Sequence, residues 1–335
     1  MKFFRKLLYP LNPIYYVVTY WRNKAFDYGW LKSKSYNFPV IGVGNLSVGG
    51  TGKSPMIEYL IRLLSKEFQT ATLSRGYKRK TTGFKLADAS DSAVSIGDEP
   101  FQFFSKFKDQ IQVAVDENRQ RGIEHLKSQN PSLEVVLLDD SFQHRKVQAG
   151  FYILLTAYDN IYTDDCMLPA GDLREPKTGA KRADVIVVTK CPSSLNELEK
   201  TQIAKRLKPL PHQQVFFSHI KYSDAVVSEN RSLQLKELED FTLVTGIANP
   251  KPLLEFLNLE NLKFKHSNFP DHHHFSDQEL EMIAKSKTVV TTEKDYMRLK
   301  DYSQLKDKLF HLPIEIVLDK PKEFNQKVLD FVNSF

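Results

Sequence analysis

Cysteine is nearly absent. Cys166 and Cys191 are the only two in 335 residues. They are too few for a disulfide framework, and such sparseness fits a reducing compartment, the cytoplasm. No stretch of about 18 apolar residues occurs, so no segment reads as a bilayer span. An uninterrupted apolar region ending in a small-residue cleavage site is also lacking, which argues against a secretory signal. Internal repeats and low-complexity segments are missing. The net charge of +6 and pI near 9.0 suit anionic partners, but there is no arginine-rich run and no aromatic RNA-binding signature. Nucleic acid is therefore not expected, and nucleotide or phospholipid is. A composition 41% hydrophobic and 26% charged belongs to a soluble protein with a real core, long enough for two ordinary domains or one large one.

Acid is missing from residues 1–26, which carry Lys2, Arg5, Lys6, Arg22 and Lys24. Phe3, Phe4, Leu7, Leu8 and Leu11 recur at helical spacing until Pro10 and Pro13 interrupt them. Asn12 and Pro13 read as a cap and a first-turn proline. Ile14, Val17, Val18 and Trp21 then continue one apolar face beside Tyr15, Tyr16 and Tyr20. Basic charge with aromatics points to an amphipathic helix lying on an anionic membrane.

From Phe38 onward, apolar strands alternate with helices. "FPVIGVGN", "TATLSRGY", "QVAVDENR", "LEVVLLDDSF", "FYILLTA" and "ADVIVVTK" read as strands. "SPMIEYLIRLLSKE", "EPFQFFSKF" and "RGIEHLKSQ" read as helices. Continuous apolar strands separated by helices predict a parallel sheet covered on both faces. After "KRLKPLPHQQ" a second series follows, with "FTLVTGIA" and "KTVVTTEK" as strands. Between them "SDQELEMIAKS" has Ser276 and Glu279 at capping-box spacing. The expected organisation is a membrane-associating segment over 1–32, a larger domain over 33–215 and a smaller α/β domain over 216–335.

Also lacking is the first glycine of a phosphate-binding loop. "VGNLSVGGTGKSP" (Val43–Pro55) has Ser47 where the pattern G-x-x-x-x-G-K-[ST] wants Gly. The rest is present, between a strand and a helix. Ser47, Val48, Gly49, Gly50, Thr51 and Gly52 form the loop, in which glycines let backbone N–H groups face an anion. The helix beginning near Ser54 adds its positive end. Lys53 can reach the β- and γ-phosphates of a nucleotide, and the Ser54 hydroxyl suits Mg²⁺. "VVLLDDSFQHR" ends a strand in Asp139 and Asp140, where a Mg²⁺-organising carboxylate belongs.

Two further runs bear on chemistry. "GDEP" sets Asp98 and Glu99 just before a helix, where its dipole favours a carboxylate. A kinase needs a group that holds the acceptor hydroxyl and takes its proton, which a positioned carboxylate does. "FPDHHHF" strings together Asp271, His272, His273 and His274. Adjacent side chains diverge and no second cluster completes a shell, so a single catalytic or orienting histidine is expected rather than a structural metal.

"GNLSVGGTGKSP", "LSRGY", "GDEP", "DDSFQH", "AGDLREP", "VTGIANP", "FPDHHHF" and "TTEKD" occur in the order found in the lipid A disaccharide 4′-kinase family, which the sequence resembles over nearly its whole length. The resemblance implies a P-loop NTPase-type parallel sheet, a second smaller α/β domain that closes the active-site cleft, and an N-terminal amphipathic helix. It implies ATP- and Mg²⁺-dependent phosphorylation of the 4′-hydroxyl of an acylated glucosamine disaccharide 1-phosphate. The implied place is the cytoplasmic face of the bacterial inner membrane, during lipopolysaccharide synthesis, with no obligate protein partner. Residue by residue, Lys53 and Ser54 match the phosphate and Mg²⁺ residues, and Asp139 and Asp140 the paired acids. Asp98 matches the base and Glu99 a Mg²⁺-linked acid. His272 matches the base's histidine partner, with His273 the alternative. Arg75 and Arg174 match substrate contacts.

The family's loop also lacks the first glycine, usually having Thr there. Two departures stand out: Ser141 replaces a usual Gly, and Asp172 a usual Pro, the latter adding negative charge near Arg174. Two other functions compete. A membrane-associated partition-type ATPase would carry Lys before the double glycine, where this chain has Val48. A P-loop kinase of a soluble acceptor would leave the basic aromatic start without a purpose.

Overall fold

The computed structural model describes residues 5–271 and 273–335. A short 3₁₀ segment leads into α1 (Asn12–Asp27). Pro13 stands in its first turn, as expected, but Leu11 is the residue that precedes the helix. Asn12 turns its side chain to the backbone N–H of Ala170 at 3.2 Å instead of capping. Not one residue of α1 is buried. Leu7, Ile14, Val18 and Trp21 stay largely open to solvent. Tyr15 packs on the buried cluster that contains Leu173 and donates to the carbonyl of Arg174 at 3.1 Å, and Arg145 donates to the carbonyl of Asn23 at 2.7 Å. The helix is thus docked through Tyr15 and Asn23, while Ile14, Val18 and Trp21 face outward. Among the described residues no helix is long and apolar enough to cross a membrane.

The larger sheet is built from β1 (Val40–Asn45), β2 (Thr70–Ser74), β3 (Lys85–Leu86), β4 (Ile111–Val115), β5 (Val135–Leu138), β6 (Phe151–Ala157), β7 (Val185–Thr189), β8 (Gln214–Tyr222) and β15 (Ile314–Leu318). Their order is β15-β8-β7-β6-β1-β5-β2-β4-β3. All neighbours are parallel except the two edge pairs, β3 with β4 and β15 with β8. Helices α2 (Lys53–Leu64), α3 (Ala93–Ile96), α4 (Asp98–Phe107), α5 (Arg119–Gln129) and α6 (Glu197–Leu207) belong to this lobe. One sheet face buries Ile41 and Val43 with Met56, Ile57 and Leu60 of α2. The other buries Leu73 and Val136 with Ile123 and Leu126 of α5. Each such aliphatic side chain contributes about 1.5–3 kcal/mol when fully buried.

A smaller sheet has the order β10-β9-β14-β13-β11-β12, from β9 (Ala225–Val227), β10 (Ser232–Gln234), β11 (Phe241–Thr245), β12 (Phe264–Asn268), β13 (Val289–Thr291) and β14 (Leu309–His311). Its helices are α7 (Lys251–Leu259), α8 (Asp277–Ala284) and α9 (Glu293–Leu299). The strand read in "KTVVTTEK" stops at Thr291, because the Thr292 side chain caps α9 by accepting from the N–H of Asp295. The expected division at 215/216 runs through β8. The closing strand β15 and helix α10 (Pro321–Val332) rejoin the larger lobe, where Phe324, Val328 and Val332 enter the core of α2. Ile96, Phe101 and Val115 of the larger lobe share one buried cluster with Phe275, Tyr296 and Met297 of the smaller. The lobes therefore meet across a packed apolar seam.

Candidate active site

In the larger sheet β1 lies between β5 and β6, with Ile41 beside Leu137 and Gly42 beside Tyr152. Parallel neighbours end on the same edge. The loop after β1 and the acids after β5 must therefore emerge side by side. The loop is pinned at both ends. Asn45 donates to Thr51 Oγ1 at 2.8 Å, and Thr189 Oγ1 donates to the Thr51 carbonyl at 2.9 Å. Gly49 and Gly52 have φ of 104° and 83°, the left-handed region that favours glycine. Ser47 is absent from the positive-φ residues. It is 6% exposed and makes an antiparallel bridge to Leu173. The N–H of Val48 donates to the Asp172 carbonyl at 2.7 Å, and that of Arg174 to the Leu46 carbonyl at 2.7 Å. Ser47 can replace glycine because the "DLREP" segment holds the loop entrance extended.

Asp140 has φ of 45°, which Asp tolerates better than most residues. Arg174 donates to both its oxygens, at 3.1 and 2.9 Å, and Lys53 Nζ lies 3.6 Å from Oδ1. Burial opposes its charge, but the Arg174 hydrogen bonds and then the Lys53 charge outweigh it, holding the carboxyl well below the usual range. Asp139 is more deeply placed. Burial pushes it up to about 6, with Lys53 opposing and Asp140 and Glu99 adding repulsion. Its Oδ1 is buried and has no hydrogen-bond partner among the described residues. Two adjacent acids shifted in opposite directions, one with an unmatched oxygen, fit a divalent cation. No three His, Cys, Asp or Glu side chains close on one point among the described residues.

Asp98 and Glu99 open α4, as the sequence predicts, behind Gly97 at φ 96°. Both face the smaller lobe. Arg298 Nη2 and Nε donate to Asp98 Oδ2 at 2.5 and 3.1 Å. Lys294 donates to Glu99 at 2.7 Å. Burial works against the charge of each member of the second pair, and their mutual attraction prevails, lowering Glu99 and raising Lys294. Arg298 is itself held by Asp295 at 3.0 Å, and Asp295 accepts from the Gly246 N–H at 2.8 Å.

Of the candidate residues, the loop, Ser54, Asp139, Asp140, Asp98 and Glu99 come to the same edge of the fold. Arg75 is exposed where β2 ends. Arg174 is turned onto Asp140 and Asn45. The extra charge of Asp172 meets Arg5 at 2.6 Å, which leaves Arg174 to Asp140. Ser141, following the acids, donates to the Val43 carbonyl at 3.3 Å. His272 lies outside the described residues. His273 Nε2 pairs with Glu279 at 2.9 Å, and its ring stacks on Phe269.

Several residues of the site escape sequence reasoning. Arg119, 4% exposed, donates to the carbonyls of Asp139 and Asp140 and so shapes their turn. Lys190 directly follows β7, with its ammonium 3.8 Å from where a Gly50 side chain would begin. Burial lowers its pKa, and Lys294 and Lys53 repel it. His144 is pushed down to about 3 by burial and then by Arg119 and Arg75, so it is neutral. Lys294 sits within "TTEKD" and Arg298 one turn later, a spacing that puts both on one helix face. That spacing was the available signal. What they touch was not visible.

A model of the tetraacyldisaccharide-1-P 4′-kinase family, LpxK, matches residues 4–333. The chain is 52% identical over 338 residues to a tetraacyldisaccharide 4′-kinase of Flavobacterium johnsoniae, covering 99% of this chain and 98% of that one. It is 45% identical over 350 residues to the enzyme of that name from Bacteroides fragilis, covering 98% and 93%. The crystal structure of LpxK from Aquifex aeolicus in complex with ATP superposes with a TM-score of 0.79 at 29% identity, over 98% of this chain and 99% of that one.

Proposed function

The chain belongs to the tetraacyldisaccharide-1-P 4′-kinase family, and on that premise we propose how its own residues carry the reaction. It uses ATP to phosphorylate the 4′-hydroxyl of a lipid A disaccharide 1-phosphate precursor, a step of lipopolysaccharide synthesis. The partition-ATPase and soluble-acceptor readings fall with that membership.

The loop from Ser47 to Ser54 cradles the phosphates of ATP, and Lys53 follows the charge that builds on the transferred group. Ser54, Asp139, Asp140 and Glu99 would hold Mg²⁺, which would supply positive charge against the phosphates of ATP. Arg174, tied to Asp140, acts on the acids rather than on the acceptor. Arg75, exposed beside the acids, is the acceptor contact. Asp98 takes the proton of the 4′-hydroxyl as its oxygen attacks the γ-phosphorus. Arg298 keeps the carboxylate pointed, and His272 assists it. Apposition of the two lobes excludes the water that would compete for the phosphoryl group.

The enzyme works at the cytoplasmic face of the inner membrane, held peripherally by α1 on an anionic surface, and needs no obligate protein partner. The exposed face of Leu7, Ile14, Val18 and Trp21 supports this. So does the position of α1, whose Tyr15 touches the backbone of Arg174 beside the site.

The observation that carries the reading is the meeting of Asp98 and Glu99 with Arg298 and Lys294 at the edge that bears Lys53 and Asp140. The test is transfer from labelled ATP to extracted disaccharide lipid, with the product position read by mass spectrometry. Product phosphorylated at the 4′ position, lost in Asp98→Asn, is expected. Label appearing at another hydroxyl, or undiminished transfer by Asp98→Asn, would overturn it.

A further inference from the structure

A buried ionic cluster lies behind the site and takes no part in the chemistry above. Lys106 stands on α4, two turns after Asp98. Its ammonium donates to Glu58 at 2.6 Å and to Glu293 at 2.6 Å. Glu58 is on α2, one turn beyond Lys53, and is 2% exposed. Glu293 is the first residue of α9, next to Lys294, and is 5% exposed. Gln102, also on α4, donates to the second oxygen of Glu58 at 2.7 Å, and Arg62 pairs with Glu58 at 3.2 Å. His311 comes within 4.0 Å of Glu293. One ammonium thus joins three helices. They are the helix that starts at the phosphate loop, the helix that carries Asp98 and Glu99, and the helix of the other lobe that carries Lys294 and Arg298.

A surface pair would contribute little here, but these carboxylates are buried, and a buried charge tolerates only a fixed partner. The rise from one carboxylate to the other is therefore set by Lys106. Burial and then the nearness of Glu58 raise the Glu293 pKa, and the Lys106 ammonium opposes both. The apolar seam between the lobes is non-directional and could slide. The ionic cluster is directional and could not.

We propose that Lys106 is a positioning residue that sets the spacing of the two lobes, by fixing α9 against α2 and α4 so that Arg298 and Lys294 reach Asp98 and Glu99. This rests on the kinase reading above. The residue touches neither ATP nor acceptor, so its effect falls on the geometry of transfer and not on nucleotide affinity.

The test compares Lys106→Met, Lys106→Arg, Glu293→Gln and the double variant Lys106→Met with Glu293→Gln, in the full chain with the disaccharide lipid acceptor. Misplacement of about 1 Å lowers kcat by up to about 10²-fold, and a loss of that order is expected for Lys106→Met with KM for ATP nearly unchanged. Replacing the buried Glu293 carboxyl, which has lost its partner, by an amide in the double variant should recover Tm while kcat stays low. Lys106→Arg should recover much of kcat. Amide exchange over 293–299 should quicken in Lys106→Met whatever the acceptor, which separates this inference from the kinase reading. Unchanged kcat in Lys106→Met, kcat that returns together with Tm in the double variant, or unaltered exchange over 293–299 would each overturn it.

Discussion

Arg298 and Asp98 lie 200 residues apart in the chain and form a two-nitrogen contact, with Nη2 2.5 Å and Nε 3.1 Å from one carboxylate oxygen. The contact crosses between lobes. The carboxylate proposed to receive the acceptor proton is therefore oriented by a residue of the other lobe.

Asp98→Asn removes the proposed proton acceptor at nearly constant shape. General-base help is typically worth about 10²–10⁴-fold, and kcat should fall within that range with ATP affinity little changed. Arg298→Met should lower kcat by a smaller factor. Because the two act as a unit, the double variant should be scarcely slower than Asp98→Asn alone. Losses that multiply would show that they work independently.

Lys53→Ala should nearly abolish transfer. The lysine meets phosphate charge that shifts in the transition state, so the loss belongs to kcat as well as to ATP affinity. Steady-state kinetics with saturating ATP decide it, and retention of more than half the wild-type kcat would contradict the assignment.

Asp139 predicts a pH dependence with a definite sign. Its folded pKa is raised by burial from 3.8 to about 6, so the folded state prefers the protonated form. The stability this group contributes is present below pH ~4 and is lost as pH rises through about 6, a change on the order of 3 kcal/mol. In EDTA, the Tm of the wild type should fall between pH 4.5 and 7 relative to Asp139→Asn. Mg²⁺ should reduce that difference, and should bind more weakly below pH ~6. Parallel Tm curves for the two proteins would refute the burial of an uncompensated carboxylate.

The membrane segment should bind anionic vesicles, with its apolar face dominating. Basic residues near a charged surface contribute on the order of 1 kcal/mol each. Yet Arg5 is paired with Asp172, and Arg22 donates to the carbonyl of Gln143. Salt sensitivity should therefore be weaker than five free cations would give. Ile14→Glu with Val18→Glu, at positions 64% and 63% exposed, should weaken sedimentation with vesicles more than raised salt does. Equal sedimentation by a chain starting at residue 33 would show that the segment serves packing alone.

The sequence by itself determined the parts that are local. Continuous apolar strands between amphipathic helices dictated a covered parallel sheet. Asp139 and Asp140 were readable as paired acids because they directly end a buried strand. The Gly-Lys-Ser core was readable because an anion-binding turn is made by consecutive residues. The start of α4 at "GDEP" and the capping box at Ser276 were legible for the same reason.

Only the tertiary structure decided what distant residues do to one another. Ser47 is tolerated because Leu173 pairs with it. Arg174 serves Asp140, because Asp172 is matched by Arg5. The last strand and helix rejoin the first sheet, since Phe324 and Val328 find their apolar partners on α2 and not in the lobe that precedes them. Asp98 meets Arg298, and Lys106 joins Glu58 to Glu293, through contacts set by packing geometry. Charge, unlike hydrophobic periodicity, has no repeat along a chain, so the partner of a buried ion is fixed only when the helices that carry it are brought together.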